Sequence, residues 1–535
     1  ILAVWRRGVL ILDEVDVLLH PLRSELNFPC GPRKALDAAP ARWDLPLHIL
    51  QALFPRPTAQ WRAASVAGDT TADVALSSAG QEVLREVAAA VAAGCDVCAL
   101  QTQPHLLLLD AGYYHATLRP LLARWAMLWV ARRLPGAAPT AAAVLEYVVG
   151  GAGGAAVRAL PPDAVKVANL ARDWLSTYLP HCLSKASRVA YGLVDDASSP
   201  RGLHAVPFVA KDMPSPSAEY ANNEIVIGLT TLAFLHEGLR PSDVSRLVRH
   251  MKQNLQLELG PLRARPSSVA FQAFVGNHTM LPLEYIRPED GLILNQLLTV
   301  VRGRHFPSLW YLRHVVFPAS MAHQSSKLSA SGADLGGHLF GTRLGFSGTP
   351  SDTLQHTGLR CGFEPGASAQ ILSILSDPRS VGHTCFHGWD VTSLLAWVAT
   401  STSPRFHALI DVGALVTGLT NGGVAAALLR FGLPGFDAVA YWDEADQAVV
   451  LGRGEGATPV PVALSGVPVE RRFVFFDQGR SFGMDIALSS SAVGALTVSK
   501  DSTLRDVCQG AWRLRGLGKG QACHLVLVKE ALSLV

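Results

Sequence analysis

The sequence predicts an α/β protein: a short sheet-forming stretch at its start, a long and mostly helical insertion, and a parallel-sheet lobe over its last third. Three observations carry that expectation. Val9-Leu10-Ile11-Leu12 is a continuous apolar run that stops at Asp13-Glu14, as a strand buried on both faces does where it leaves a parallel sheet. From about Leu50 to Tyr191 apolar residues recur at three- and four-residue intervals, as in Leu118, Leu121, Leu122, Trp125 and Leu128, the spacing of a helix face. In the last third, short apolar runs alternate with helical patterns, the order of a parallel sheet with helical crossovers.

Composition bounds the problem. The chain has 535 residues, 49% hydrophobic and 17% charged, which describes a folded protein with large cores. At roughly 150 residues per domain it has room for three or four domains. A net charge of +3 carries no message about nucleic acid or a membrane surface. The stretch Val87 to Leu109 approaches membrane length, but Asp96, Gln101, Gln103 and His105 interrupt it, so packed helices and no membrane span are expected. The chain opens at Ile1 without an initiator Met or a signal-like segment, and the expectation is a fragment of a longer protein.

The eight cysteines are thinly spread, a usage that suits reduced intracellular thiols and a cytoplasmic or nuclear location. Cys95-Asp96-Val97-Cys98 is the only C-x-x-C. A structural zinc site needs a second pair or a Cys/His partner at suitable spacing, so no zinc is expected and small core thiols are the default.

Taken in order, His20 to Pro29 reads as an ordered, Pro-punctuated loop beside the acidic turn. Gly150-Gly151-Ala152-Gly153-Gly154 breaks the helical region; it lacks the Lys and the Ser or Thr that a phosphate loop places after its glycines, so it reads as a flexible connection. Pro200 to His323 is mixed, with a helix over Asp243 to Leu257, and Ser325 to Gly332 is polar and small. Thr342 to Phe346 reads as a short strand running into Ser347-Gly348-Thr349-Pro350, a hydroxyl-bearing turn suited to hydrogen bonding near a phosphate. Strands follow at Phe406 to Asp411, Ala438 to Trp442, Arg472 to Phe476, Gly494 to Val498 and His524 to Val528, with helices at Gly423 to Phe431 and Thr503 to Trp512. Tyr441-Trp442-Asp443-Glu444-Ala445-Asp446 spells the DEAD-box letters, yet Gln447 to Leu451 looks like a return strand, so it reads as a hairpin turn.

The chemistry-bearing residues sit at strand ends. Asp13 is placed to hold Mg²⁺ through water, and Glu14 to orient or deprotonate an attacking water. Gly483 and Asp485 fall on a loop at a strand's carboxyl end, where open sheets bind ligands. Gln509 and Arg513 are four apart on an expected helix and share a face, with Arg515 following; a guanidinium there reaches a γ-phosphate as an arginine finger does. Lys519 and Gln521 extend the polar patch.

Read in order, Asp13-Glu14, Ser347-Gly348-Thr349, Gly483-Met484-Asp485-Ile486 and Gln509 with Arg513 resemble motifs II, III, V and VI of superfamily-two helicases, and especially of the SecA translocase. The long gap between the first two also resembles SecA, which carries an inserted substrate-binding domain there. A closer resemblance is to very large eukaryotic uncharacterised proteins grouped with OTU-type ubiquitin thioesterases and often labelled ubiquitinyl hydrolase. It rests on Leu12 to Asp16 with His20 to Pro29, on Gly345 to Pro350, on Asp411-Val412-Gly413-Ala414-Leu415-Val416-Thr417-Gly418, and on Arg513 to Gln521.

The resemblance implies an incomplete first RecA-like lobe at 1–50, a helix-rich insertion at 51–325, a return to the first lobe at 326–400, and a second RecA-like lobe at 401–535. It implies Mg²⁺ and ATP as cofactors, with Asp13, Glu14 and Arg513 catalytic and Ser347, Thr349, Asp485, Gln509 and Arg515 binding nucleotide. Implied partners are ubiquitin or a ubiquitinated protein, and a translocated polypeptide or nucleic acid. Two departures matter. Arg480-Ser481-Phe482 stands where the group has His-Thr-Thr, and Gly516 stands where helicases place the second motif VI arginine.

Three functions are expected to compete: an NTP-driven motor or switch, thiol-dependent removal of ubiquitin, and a non-catalytic scaffold with a decayed helicase-like module. No G-x-x-x-x-G-K-[ST] occurs, so the phosphate cradle is expected from an upstream segment of the same chain. The OTU-type Asp-Gly-x-x-Cys is absent as well; Cys385-Phe386-His387 and Cys30 read as structural thiols, and no thiol nucleophile is assigned.

Overall fold

The computed structural model describes residues 7–12, 29–133, 141–150, 154–185, 192–193, 203–204, 223–276, 278, 280–321, 323–328, 342–345, 366–443, 447–454, 456–480 and 485–534. The fold is mixed α/β. A helical body closes around one core that runs from Leu36 to Met321, and an eight-stranded sheet near the C-terminus packs a separate core on each of its faces.

Short strands frame the helical body. β1 (Val9–Leu12) and β2 (Pro29–Ala35) precede it. Two ribbons of two-residue strands interrupt it: β3 (Leu100–Gln101) with β4 (Leu107–Leu108), and β5 (Gly192–Leu193) with β6 (Leu203–His204). β7 (His323–Leu328) and β8 (Thr342–Gly345) follow. β2 pairs antiparallel with β7, and β1 pairs parallel with β8, placing Leu12 opposite Gly345. The helical body therefore leaves and returns at one place. The polar 325–332 stretch contributes the strand β7, and the helix Ala41–Gln51 packs Trp43, Leu45, Leu47, Ile49 and Leu50 into the helical core, so that body starts ahead of residue 51.

Burial of β1 corrects one expectation. Val9 and Ile11 are 53% and 64% exposed while Leu12 is buried. Alternate side chains of a strand face opposite sides, and the side that carries Val9 and Ile11 is uncovered.

Within the helical body the longest helix, Ser78–Asp96, is capped by Ser77, whose hydroxyl accepts from Gly80 N at 3.1 Å. It buries Val83, Val87, Ala90 and Gly94, one stripe at three- and four-residue spacing. Trp125, Trp129, Trp174 and Tyr114 are fully buried in the same core. One cation closes the body across the sequence: Arg313 donates to Asp44 at 2.9 Å and to Asp69 at 3.0 Å. Buried charge is costly unless paired in this way.

The main sheet contains β9 (Val381–Phe386), β10 (Ala408–Ile410), β11 (Ala438–Trp442), β12 (Ala448–Gly452), β13 (Val460–Pro461), β14 (Arg472–Phe476), β15 (Val493–Val498) and β16 (Ala522–Val528). Their order is β13-β12-β11-β14-β10-β15-β16-β9. The run from β11 to β9 is parallel, and β12 and β13 add an antiparallel edge. The strands expected from apolar runs are present. β9 is not among them, and it carries the sheet back to Val381, ahead of residue 401; the expected hairpin at Tyr441 is the β11–β12 turn.

The central strands are mostly apolar because both faces are covered. Leu409, Phe473, Phe475 and Val526 pack under the helices Val391–Thr400 and Asn421–Phe431. Ala408, Ile410, Val474, Phe476 and Leu496 face the opposite layer, where Ala511, Leu514 and Leu517 lie. The loop after β10 reaches the helical body: a Cβ added at Gly418 would stand 3.7 Å from Glu237 Oε2. Among the described residues, no helix is long and apolar enough to cross a membrane.

Candidate functional site

The carboxyl ends of β10, β14 and β15 mark the site. After β10 the chain crosses to β11 and returns through β14 on one side of β10, whereas β15 and β16 lie on the other. Such a reversal of strand order opens a crevice at the carboxyl edge between the strands flanking it, here β10 and β15.

Asp411 stands at that point. It is buried, and its carboxylate accepts from the Thr497 hydroxyl at 2.6 Å, from Leu415 N at 2.9 Å and from Val416 N at 3.0 Å. The Thr497 hydroxyl in turn accepts from Gly413 N at 3.0 Å. Burial raises the Asp411 pKa, with the nearby Asp477 charge adding to it, while these donors oppose the rise. Gly413 has to be glycine, since a Cβ there would lie 2.9 Å from Ser499 N and Val498 C. The result is a rigid loop tied to the strand beside it.

On that loop rides the helix Leu504–Ala511. Thr503 and Asp506 form a capping box at its start, with Asp506 N bonded to Thr503 Oγ1 at 3.2 Å and Thr503 N to Asp506 Oδ2 at 2.8 Å. Near its end the bare Gly510 lets the backbone approach Val412; an added Cβ would stand 2.3 Å from Val412 Cγ2.

The helix stops at Ala511, which corrects the expectation that Gln509 and Arg513 share a helical face. Arg513 N bonds Gly510 O at 3.0 Å and Leu514 N bonds Ala511 O at 3.0 Å, so the chain tightens into a turn that buries Leu514. Arg513 is buried beside it, and its pKa is lowered by that burial and by Arg515, against the opposing pull of Asp485. Gln509 is half-buried.

Two residues expected at a nucleotide pair with each other: Arg515 Nε donates to Asp485 Oδ2 at 2.9 Å. Gln521 holds the two segments together. Its Oε1 accepts from Gly516 N at 2.6 Å, and its Nε2 donates to Ser489 O at 2.7 Å, so one buried side chain ties the arginine turn to the loop carrying Asp485. Positive φ at Gly518 (74°) and Gly520 (114°) lets the backbone double back between the turn and β16.

Asp13, Glu14, Ser347 and Thr349 lie outside the described residues, as do Gly483 and Met484 of the motif V stretch. The structure thus brings Asp485, Arg513 and Arg515 together. Sequence reasoning gave no role to Asp411 or Thr497, and placed Gln521 only in a polar patch beyond the helix. Asp411 carried a legible signal, an acid directly after an apolar strand, the same signature that singled out Asp13. Among the described residues no group of three His, Cys, Asp or Glu side chains is placed to hold a metal. Cys95 and Cys98 are free thiols, half-buried, and Cys385 lies within β9.

Comparison with known proteins yields one match. A family described as a protein of unknown function (DUF3645) matches residues 199–230, ending in the first half of the helix Asn223–Glu237. No curated protein and no solved structure matches the chain.

Proposed function

We propose that the chain carries two parts of a helicase- and SecA-like NTPase module with RecA-like lobes, within a large protein of the ubiquitin-thioesterase group. The observation that carries this reading is the parallel pairing of β1 with β8, which places Leu12 opposite Gly345. The acids at Asp13-Glu14 and the hydroxyls at Ser347 and Thr349 directly follow these two adjacent strand ends. That is the arrangement the motif order calls for.

The residues present suit a nucleoside triphosphate with Mg²⁺. The turn after the helix Leu504–Ala511 holds two guanidiniums, Arg513 and Arg515, within range of one carboxylate, Asp485. Bound Mg²⁺ neutralises charge on the phosphates. Asp13 would hold the ion, Glu14 would take the proton of the attacking water, and Arg513 would offset charge on the transferring phosphoryl group. Ser347, Thr349, Asp485, Gln509 and Arg515 bind the nucleotide. An upstream segment supplies the phosphate loop, and the uncovered side of β1 at Val9 and Ile11 is where further layers of that lobe would pack. Hydrolysis moves a polypeptide or nucleic acid, and the group label adds thiol-dependent ubiquitinyl hydrolase activity with its cysteine outside this chain.

A second reading, a non-catalytic scaffold, is favoured by the same ion pair, because Arg515 is already engaged by Asp485. ATPase assays on the full-length protein with Glu14→Gln, beside a ubiquitin active-site probe, separate the readings. Turnover abolished by the substitution supports the motor, probe labelling of a cysteine supports the hydrolase, and neither result leaves the scaffold. This chain alone is expected to turn over no ATP.

A further inference from the structure

The helix Ser78–Asp96 ends in a left-handed stop. Ala99 N bonds Gly94 O at 2.8 Å, Cys98 N bonds Cys95 O at 3.1 Å, and Cys98 adopts φ 54°. Glycine normally occupies such a position, because a Cβ crowds the following carbonyl when φ is positive. Glycine would close the same two bonds without strain, so the backbone gains nothing from a cysteine at residue 98. The 98-to-95 bond also makes these residues the ends of a four-residue turn. Cα atoms at the ends of such a turn lie within about 7 Å, and a disulfide spans ~4.4–6.8 Å. The helix end is seated firmly: a Cβ at Gly94 would stand 2.8 Å from Leu100 Cδ1 and from Tyr113 Cε1.

We propose that Cys95 and Cys98 form a reversible thiol modification site that is oxidised to an intrachain disulfide by small-molecule disulfides of the glutathione class. Both thiols are free and half-buried, within reach of solvent. They differ in surroundings. Burial above all, with Asp96, Glu530 and Cys98, disfavours the Cys95 thiolate, while the Thr102 hydroxyl opposes that effect. Cys98, which lies past the last residue of the helix whereas Cys95 lies within it, attacks first. Its thiolate takes one sulfur of the oxidant and expels the other half as a thiolate, leaving a mixed disulfide. Cys95, after giving its proton to water, attacks the Cys98 sulfur and expels the second thiol. The protein loses two electrons and two protons, and the oxidant becomes two thiols. A crosslink across four residues constrains little of the unfolded chain, so it adds little stability and stays reducible.

The test equilibrates the full chain in glutathione buffers of increasing oxidised fraction, quenches with acid, alkylates free thiols and maps them by mass spectrometry. The expected result is a drop of roughly tenfold or more in alkylation of Cys95 and Cys98 together. A Cys95–Cys98 peptide should appear, dithiothreitol should reverse it, and half-buried Cys508 should stay unchanged as the reference. Cys95→Ser should accumulate the glutathione adduct on Cys98. Cys98→Gly keeps the turn and should leave Cys95 alkylated in every buffer, which separates loss of the site from loss of fold. Equal alkylation of both thiols across the buffers, or a glutathione adduct that persists in the unsubstituted chain, would overturn the proposal.

Discussion

Asp485 Oδ2 and Arg515 Nε meet at 2.9 Å, joining the loop that follows β14 to the turn that precedes β16. The side chains are 46% and 61% exposed, so the pair adds only about 0–1 kcal/mol to stability and weakens with salt. Its interest lies in where it stands, beside the buried Arg513.

Arg515→Gln is accordingly expected to shift urea unfolding by less than about 1 kcal/mol. In the full-length protein the same substitution should weaken ATP binding roughly tenfold, the size of one lost charge-assisted hydrogen bond. A titration with a fluorescent nucleotide checks this; unchanged affinity would remove Arg515 from the proposed nucleotide site.

Gln521→Ala leaves Gly516 N and Ser489 O without their side-chain partner. A cost of about 1–3 kcal/mol is expected from two lost bonds at a buried position. The loss should be local as well as global: hydrogen exchange at the Gly516 amide should accelerate well beyond exchange within β10. Uniform acceleration would show that Gln521 acts on the whole lobe and not on the arginine turn.

Gly510→Ala inserts a methyl group where Val412 Cγ2 would lie 2.3 Å away. Overpacking of this kind costs about 1–3 kcal/mol. Val412→Ala in the same chain should recover part of that, giving a favourable coupling in a double-mutant cycle read by urea unfolding. Additive losses would mean that the helix shifts elsewhere.

Three histidines of the helical body should make it acid-sensitive. Burial lowers His48 to about 3 and His305 and His314 each to about 4, from an ordinary 6.5. His48 shows why its neutral form is held: Nε2 lies 2.9 Å from Trp125 O, a pure acceptor, so Nε2 carries the proton and Nδ1 accepts from Thr71 Oγ1 at 3.2 Å. The unfolded chain binds protons near pH 6.5 and the folded chain does not, so this contribution is fully present above pH 6.5 and is lost as pH falls toward 4 and then 3. Tryptophan emission followed during thermal unfolding should show Tm declining through that window. A flat Tm from pH 7 to 4 would contradict the neutral assignment.

The strands of the parallel sheet were legible because a strand buried on both faces is mostly apolar: Ala438–Trp442 spans an apolar run, and Phe473 to Phe476 make up the rest of β14 after Arg472. β9 was not, because its sequence, Val-Gly-His-Thr-Cys-Phe, is that of a half-buried edge strand. β2 and β7 escaped for a related reason: among the described residues they pair only with each other, and neither shows an apolar run.

The sequence by itself determined the class of the protein, an α/β chain with a helical insertion, and the residue types at the ends of its strands. Both follow from local physics: burial on one face or two writes its period into the sequence, and acids, hydroxyls and arginines at strand ends remain visible in any context. Only the tertiary structure decided which of them meet. The register of β1 against β8, the Asp411–Thr497 contact, the Gln521 link and the Asp485–Arg515 pair all join segments that are remote in sequence, through single hydrogen bonds or ladders whose partners no local pattern encodes. The same holds for the end of the 504–511 helix at Ala511, where tight packing of Leu514 into the sheet core outweighs the helical spacing of Gln509 and Arg513.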